Sequence, residues 1–379
     1  MRILINFSPI KKGGGQNVAL NFIKSLFEDK NIQNKDDYIF LTVKNSPIHL
    51  LLEKYKPTQV IFSPSNPMKR IIYETFYLNS FLKKNKVDLI YSYFGFANIS
   101  KKFIQITGSV DSNIYYPDIK FWKEYSIIIR LKKIYIDFYR IYGLKKCTGI
   151  IFENPELERR YKLLYNSSKP TTTIYPSVSQ AYTNENYELP TNNQHCFTGL
   201  FLCGWHLNKN IMIIPILAKE FMNNKIPFRF ILTAPEDNSL FHKKFLKLAA
   251  YYNVQDMISI VGNVKKEQLC SLYKQIDFVF LLSKLESFSN NIIESYFYKK
   301  PIVVSNEPWA RMLCKDAAIY VDRDNPEDIF NSVIKIINDK HLFEELIAKG
   351  DENLKEYPSI NEKTKQEIDF IKYVHEKYS

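Results

Sequence analysis

The chain has 379 residues, 45% hydrophobic and 24% charged. At roughly 100–200 residues per domain that predicts two globular domains and excludes a disordered chain or a small stapled scaffold. Lysine and arginine number 52 against 40 acidic residues, a formal charge of +12, so the expected partner is anionic: nucleic acid, an acidic membrane face or a phosphorylated small molecule.

In chain order, Arg2–Asn6 predicts a strand and the amphipathic run from Asn17 to Phe27 a helix. Further strands follow at Tyr38–Val43, Gln59–Phe62, Asp88–Tyr91, Phe103–Thr107 and Gly149–Phe152, separated by helical patterns around residues 67–84, 120–142 and 155–165. From Tyr175 to Cys196 the pattern breaks into prolines and polar residues, which reads as a linker. Alternation then restarts with strands at Phe197–Cys203, Phe228–Leu232, Ile258–Val261, Phe278–Leu282, Ile302–Val304 and Ala318–Val321. Helices are expected near 210–224, 240–251, 266–275, 290–299 and 326–337, and a closing helix after Pro358. Strands alternating with helices imply parallel sheets covered on both faces. The expectation is an α/β protein with two doubly wound, Rossmann-like domains facing across a cleft: residues 1–180, a linker at 181–195, residues 196–357, and a terminal helix at 358–379.

The five cysteines form no C-x-x-C pair, which argues against a disulfide framework or zinc ribbon and fits a reducing cytoplasm. No apolar run approaches the roughly 20 residues of a membrane span. The six histidines show no metal-ligand spacing.

In doubly wound sheets ligands bind where strands end and helices begin. Gly13, Gly14 and Gly15 stand together after the first strand of a chain with only 11 glycines; they suit an anion approaching the next helix's N–H groups, a plain surface turn being the alternative. After the strand ending at Leu282, Glu286 falls in a loop, Ser289 or Asn290 is a helix N-cap, and Glu294 lies one turn in. A carboxylate can hold two sugar hydroxyls, and amides at the helix start can hold a phosphate, so the pattern suits a nucleotide sugar. Two glutamates that merely solvate a loop and steady a helix are the alternative.

The run Ser283–Ser305, with E-x7-E at Glu286 and Glu294 and then Lys299-Lys300-Pro301, resembles the signature of retaining glycosyltransferases of family 4, which have the GT-B fold. Ile260-Val261-Gly262-Asn263-Val264 before it, Asp316–Asp322 after it, the N-terminal glycines and Thr173–Ser177 also match that family in position and type. The resemblance implies that Glu286 contacts the donor sugar and Glu294 the ribose, with amides of Phe288, Ser289 and Asn290 meeting sugar and phosphates and Gly262 in the preceding loop. It assigns Lys209 to the diphosphate and Asp111 to the acidic part of the catalytic site. The family's arginine beside that lysine and its histidine beside that aspartate are absent, and serines replace glycines at Ser287 and Ser289. What it implies is a nucleotide-sugar donor, a saccharide or lipid-linked acceptor, and no metal or other cofactor. Cell-surface polysaccharide or lipopolysaccharide synthesis is the expected setting. A sugar-nucleotide epimerase and a non-catalytic scaffold are the rival readings.

Asp322-Arg323-Asp324 spells a D-x-D metal motif but follows a late strand, and reads as a solvated turn. Residues 120–146 combine aromatic side chains such as Trp122, Tyr135 and Phe138 with Lys132, Lys133, Lys145 and Lys146. Such a helix suits the anionic inner face of a membrane, an ordinary solvated basic helix being the alternative; no nucleic-acid module accompanies it.

Overall fold

The computed structural model describes residues 1–10, 14–30, 32, 36–95, 103–123, 125–178, 186–189, 196–237 and 239–379. Two compact units emerge: Met1–Val178 together with Pro358–Ser379, and Ser179–Tyr357. Gly13 and most of the expected linker, 181–185 and 190–195, lie outside the described residues.

The first unit is built on seven parallel strands, β1 (Arg2–Asn6), β2 (Asp37–Thr42), β3 (Gln59–Phe62), β4 (Leu89–Ser92), β5 (Ile104–Ser109), β6 (Gly149–Phe152) and β7 (Thr171–Thr173), in the order β3-β2-β1-β4-β5-β6-β7. The second has β8 (Phe197–Phe201), β9 (Phe228–Leu232), β10 (Ile258–Ile260), β11 (Phe278–Leu281), β12 (Ile302–Ser305) and β13 (Ile319–Val321), ordered β10-β9-β8-β11-β12-β13, also all parallel. Central strands read as unbroken apolar runs because helices cover both faces of a parallel sheet: Ile3, Leu4 and Ile5 are fully buried, as are Ile302, Val303 and Val304. In β8, Gly199 sits beneath the Phe228 and Phe280 rings, where a Cβ would collide. Each sheet reverses direction once, between β1 and β4 in the first and between β8 and β11 in the second.

Several elements differ from expectation. Helices Pro47–Tyr55, Pro308–Cys314 and Lys340–Leu354 and the edge strand Thr171–Thr173 are additional. The first helix begins at Gly14, so Gly14 and Gly15 are helical residues and not loop. The helix expected at 120–142 runs instead from Ile127 to Lys146; Ser126 occupies its N-cap position and residues 120–123 form turns in which Trp122 donates its indole N–H to Asp137 at 2.5 Å. Residues 67–84 are helical throughout but widen to a π-helical turn at Tyr73–Tyr77. There the buried Glu74 accepts from Asn6 Nδ2 (3.2 Å) and Ser8 Oγ (2.9 Å) at the end of β1.

The terminal helix Ile360–Tyr378 opens with a reciprocal capping box between Ser359 and Glu362 and packs in the first unit. Ile368, Ile371 and Val374 join that unit's core. Lys363 and Glu367 form a buried ion pair, and Lys363 Nζ lies 3.5 Å from the Tyr93 hydroxyl. Burial pushes the neighbouring Glu153 carboxyl, at the end of β6, up to about 7 despite the attraction of Lys363.

Candidate functional site

The second unit's sheet reverses between β8 and β11, and the segments leaving those two strands carry the chemistry. After β8 the chain turns through Cys203, Gly204 and Trp205 into a single 3-10 turn, Leu207–Lys209. His206 Nδ1 accepts from the Asn208 amide at 3.1 Å, and Asn210 closes the turn in the left-handed region at φ 52°. Asn208 clamps this turn to the one after β11: its Nδ2 donates to Leu285 O at 2.5 Å, its Oδ1 accepts from Leu285 N at 3.0 Å, and its carbonyl accepts from Lys284 N at 2.8 Å.

With the two segments clamped, Lys209 Nζ and Glu286 Oε1 lie 2.5 Å apart. Burial opposes the charge on Lys209, but the attraction and hydrogen bond of Glu286 outweigh it and raise its pKa. The same surroundings push the adjacent Cys203 thiol up to about 12, chiefly by burial, so it stays protonated and inert.

Ser289 stands at the N-cap position of helix Asn290–Phe297, whose buried face includes Ile292, Ile293 and Glu294. Asn291 reaches back to Leu202 O at 3.2 Å, tying the helix start to the end of β8. The first amides of a helix lack intrahelical acceptors and carry the positive end of its dipole, so this end favours an anion. Glu294 is buried and accepts from the Tyr273 hydroxyl at 3.2 Å. Burial raises its carboxyl to about 7, with Tyr273 and Lys266 pulling the other way; it stands ready to gain or lose a proton near neutrality. Phe288 packs edge-on to Tyr357, with ring centroids 5.8 Å apart. Gly262 has φ 74° with open space where a Cβ would be, so backbone conformation and not crowding favours glycine there.

Glu286, Lys209, Phe288, Ser289, Asn290 and Glu294 thus belong to one unit around one strand reversal. Gly262 is in the same unit, and Gly14, Gly15 and Asp111 are in the other. Gly14 and Gly15 open helix Gly14–Glu28, and a Cβ on Gly15 would reach the Phe94 ring at 3.4 Å. Asp111 follows β5 and pairs with Arg140 Nη2 at 2.8 Å; burial raises its carboxyl while Arg140 lowers it. Asn208, Asn291 and Tyr273 position the site and were not foreseen. An asparagine flanking the proposed phosphate lysine was the available signal for the first; the other two act across the fold with no local pattern. Trp205 fills the place beside Gly204 with a structural side chain, donating to Pro235 O at 2.5 Å and packing on His242 and Phe245.

The Asp322–Asp324 segment is a turn: Asp322 Oδ1 accepts from Asp324 N at 3.0 Å, Asp322 N donates to Asp328 at 2.7 Å, and Arg323 pairs with Glu307. Among the described residues no group of three or more histidine, cysteine or carboxylate side chains is placed to hold a metal ion.

Residues 238–353 match the family model for glycosyl transferases group 1. No curated protein matches the chain. Among solved structures, Anabaena Alr3699/HepE in complex with UDP and glucose aligns over 98% of this chain and 100% of that one, at 13% identity and a TM-score of 0.69. A glycosyltransferase from Rickettsia africae aligns over 98% of each chain at 16% identity and TM-score 0.68. Sucrose-phosphate synthase from Thermosynechococcus elongatus aligns over 99% of each at 13% identity and TM-score 0.71. The architecture is therefore GT-B: two Rossmann-like units, each doubly wound.

Proposed function

We propose that the protein is a retaining glycosyltransferase of the family 4 type, moving a hexose from a nucleotide-diphosphate donor to a saccharide or lipid-linked acceptor in cell-surface polysaccharide or lipopolysaccharide synthesis, at the cytoplasmic face of the membrane. The carrying observation is the Lys209–Glu286 pair at the β8/β11 reversal, beside the N-terminus of the helix that bears Glu294. The group 1 family match spans both glutamates, and the HepE complexes contain UDP and UDP-glucose, which makes a UDP-sugar the first donor to try.

In this reading the paired charges are the resting state of the donor site. A diphosphate seated on Lys209 and on the amides of Phe288, Ser289 and Asn290 takes over the lysine's charge, releasing Glu286 to accept hydroxyls of the sugar. Glu294 holds the ribose, and Gly262 lets backbone approach the donor. The anomeric carbon's bond to the diphosphate oxygen breaks, the acceptor oxygen bonds to that carbon on the same face, and the acceptor's proton passes to the departing diphosphate. Asp111 lies on the acceptor side. The protein's contribution is positioning and charge stabilisation, with no metal required.

The test is a thermal-shift screen of nucleotide sugars, followed by transfer assays with NMR assignment of the product anomer. Retained configuration with donor consumed supports the reading. An epimerised donor with no acceptor used would replace it with an epimerase, and no nucleotide binding at all with a scaffold.

A further inference from the structure

Helix Ile127–Lys146 presents Ile128, Leu131, Tyr135, Phe138 and Tyr142, spaced alternately by three and four residues, on an exposed face, with Ile128 82% and Phe138 68% exposed. Its Tyr139 lies near Glu74, Thr75 and Arg70 of the helical stretch from Pro67 to Lys84. That stretch exposes Met68, Ile72 and Phe76 at four-residue spacing, and Tyr77 beside them. Two exposed apolar stripes of this kind mark an interaction site.

The charges say with what. Each helix has one acidic residue, and both are engaged internally: Glu74 is buried against Asn6 and Ser8, and Asp137 accepts from Asn113, Trp122 and Arg140. Lys69, Lys83, Lys84, Arg130 and Lys132 are exposed around the apolar stripes. Beside them, a cavity of about 190 Å³ is lined by Tyr116, Trp122, Lys120, Lys123, Arg130 and Asp137; with Asp137 already held by Asn113, Trp122 and Arg140, the three cations leave it net positive, a pocket of the kind that seats a phosphate headgroup. A second copy would set lysine against lysine, whereas an anionic bilayer meets both the apolar and the basic side chains. At 20 residues the longer helix reaches the length of a span, but it carries six lysines and arginines, and no described helix is apolar enough to cross a membrane.

We infer that the exposed faces of helix Ile127–Lys146 and residues 67–84 dock the protein on an anionic bilayer, the apolar stripes entering the interface and the pocket of Lys120, Lys123 and Arg130 taking a lipid phosphate. This deepens the lipid-linked-acceptor part of the proposed function but needs none of its sugar chemistry, so either can fail without the other.

The experiment is flotation of the full chain with phosphatidylcholine vesicles, with and without about one-third phosphatidylglycerol, at low and high salt, alongside size-exclusion chromatography. The expected result is binding to the anionic vesicles only, weakened by salt and reduced at least tenfold in I128S/L131S/F138S. Those positions are exposed, and an unchanged circular-dichroism melt would confirm the fold. K120Q/K123Q/R130Q should retain the melt and lose the lipid selectivity. Equal flotation of the triple-serine variant and wild type, no flotation of wild type, or a wild-type dimer that the serine variant abolishes would each overturn the inference, the last in favour of a second copy.

Discussion

Replacing Glu294 by glutamine should make the protein more stable at alkaline pH and worse at holding its donor. The unfolded chain releases this proton near 4.5 and the folded chain at about 7. Between those values the folded state keeps a proton the unfolded state has lost, so stability falls as pH rises and the full cost is present above 7. At about 1.4 kcal/mol per pH unit the gap corresponds to about 3 kcal/mol. Glutamine keeps an oxygen for the Tyr273 hydroxyl and has no charge to bury. At pH 8.5 E294Q should therefore melt roughly 6–12 °C above wild type for a unit of this size, and the two curves should converge near pH 4.5. The difference curve isolates this group from Glu153, which titrates in the same range in the other unit. Donor affinity, read by calorimetry at pH 8, should meanwhile fall tenfold or more. A stability difference that does not change with pH would refute the electrostatic argument, and intact donor affinity would reduce Glu294 to a structural carboxylate.

Three other outcomes follow. K209M should weaken nucleotide-sugar binding by roughly ten- to hundredfold, the worth of a charged hydrogen bond, while leaving uncharged sugar binding untouched; a titration that shows the same affinity as wild type removes Lys209 from the donor site. Activity should persist in EDTA, and loss of transfer with rescue by manganese would instead point to Asp322 and Asp324. K363M, which strands Glu367 and Glu153 as buried carboxylates, should cost about 3–5 kcal/mol in urea denaturation, and adding E367Q should recover most of it; equal stability of the single and double variants would show that the pair is not coupled.

The sheets were largely legible because buried parallel strands are dense apolar runs, and the Glu286–Glu294 spacing located its own loop and helix start. The misses share a cause. Thr171–Thr173 is a half-buried edge strand with no apolar signal. Lys340–Leu354 is separated from the preceding helix only by Asp339, which caps the next helix through Leu342 N, so two helices in succession broke the alternation. Residues 120–123 look helical in composition, yet Lys123 N bonds back to Lys120 O and Trp122 donates to Asp137, which holds the chain in turns. The Lys209–Glu286 contact joins positions 77 residues apart; the family resemblance implied that each meets the donor, but only the fold shows that they meet each other.

The discontinuity of the first unit reaches back to how the chain is made. Its core needs Ile368, Ile371 and Val374, which leave the ribosome only after the whole of residues 179–357 has been synthesised. At about 5–20 residues per second the first unit waits roughly ten to forty seconds with an open apolar groove along helix Gly14–Glu28, while the second unit, begun later, has everything required to close. The second unit is thus the first whose core residues are all synthesised, and in that interval the first unit lacks the apolar side chains that its terminal helix supplies.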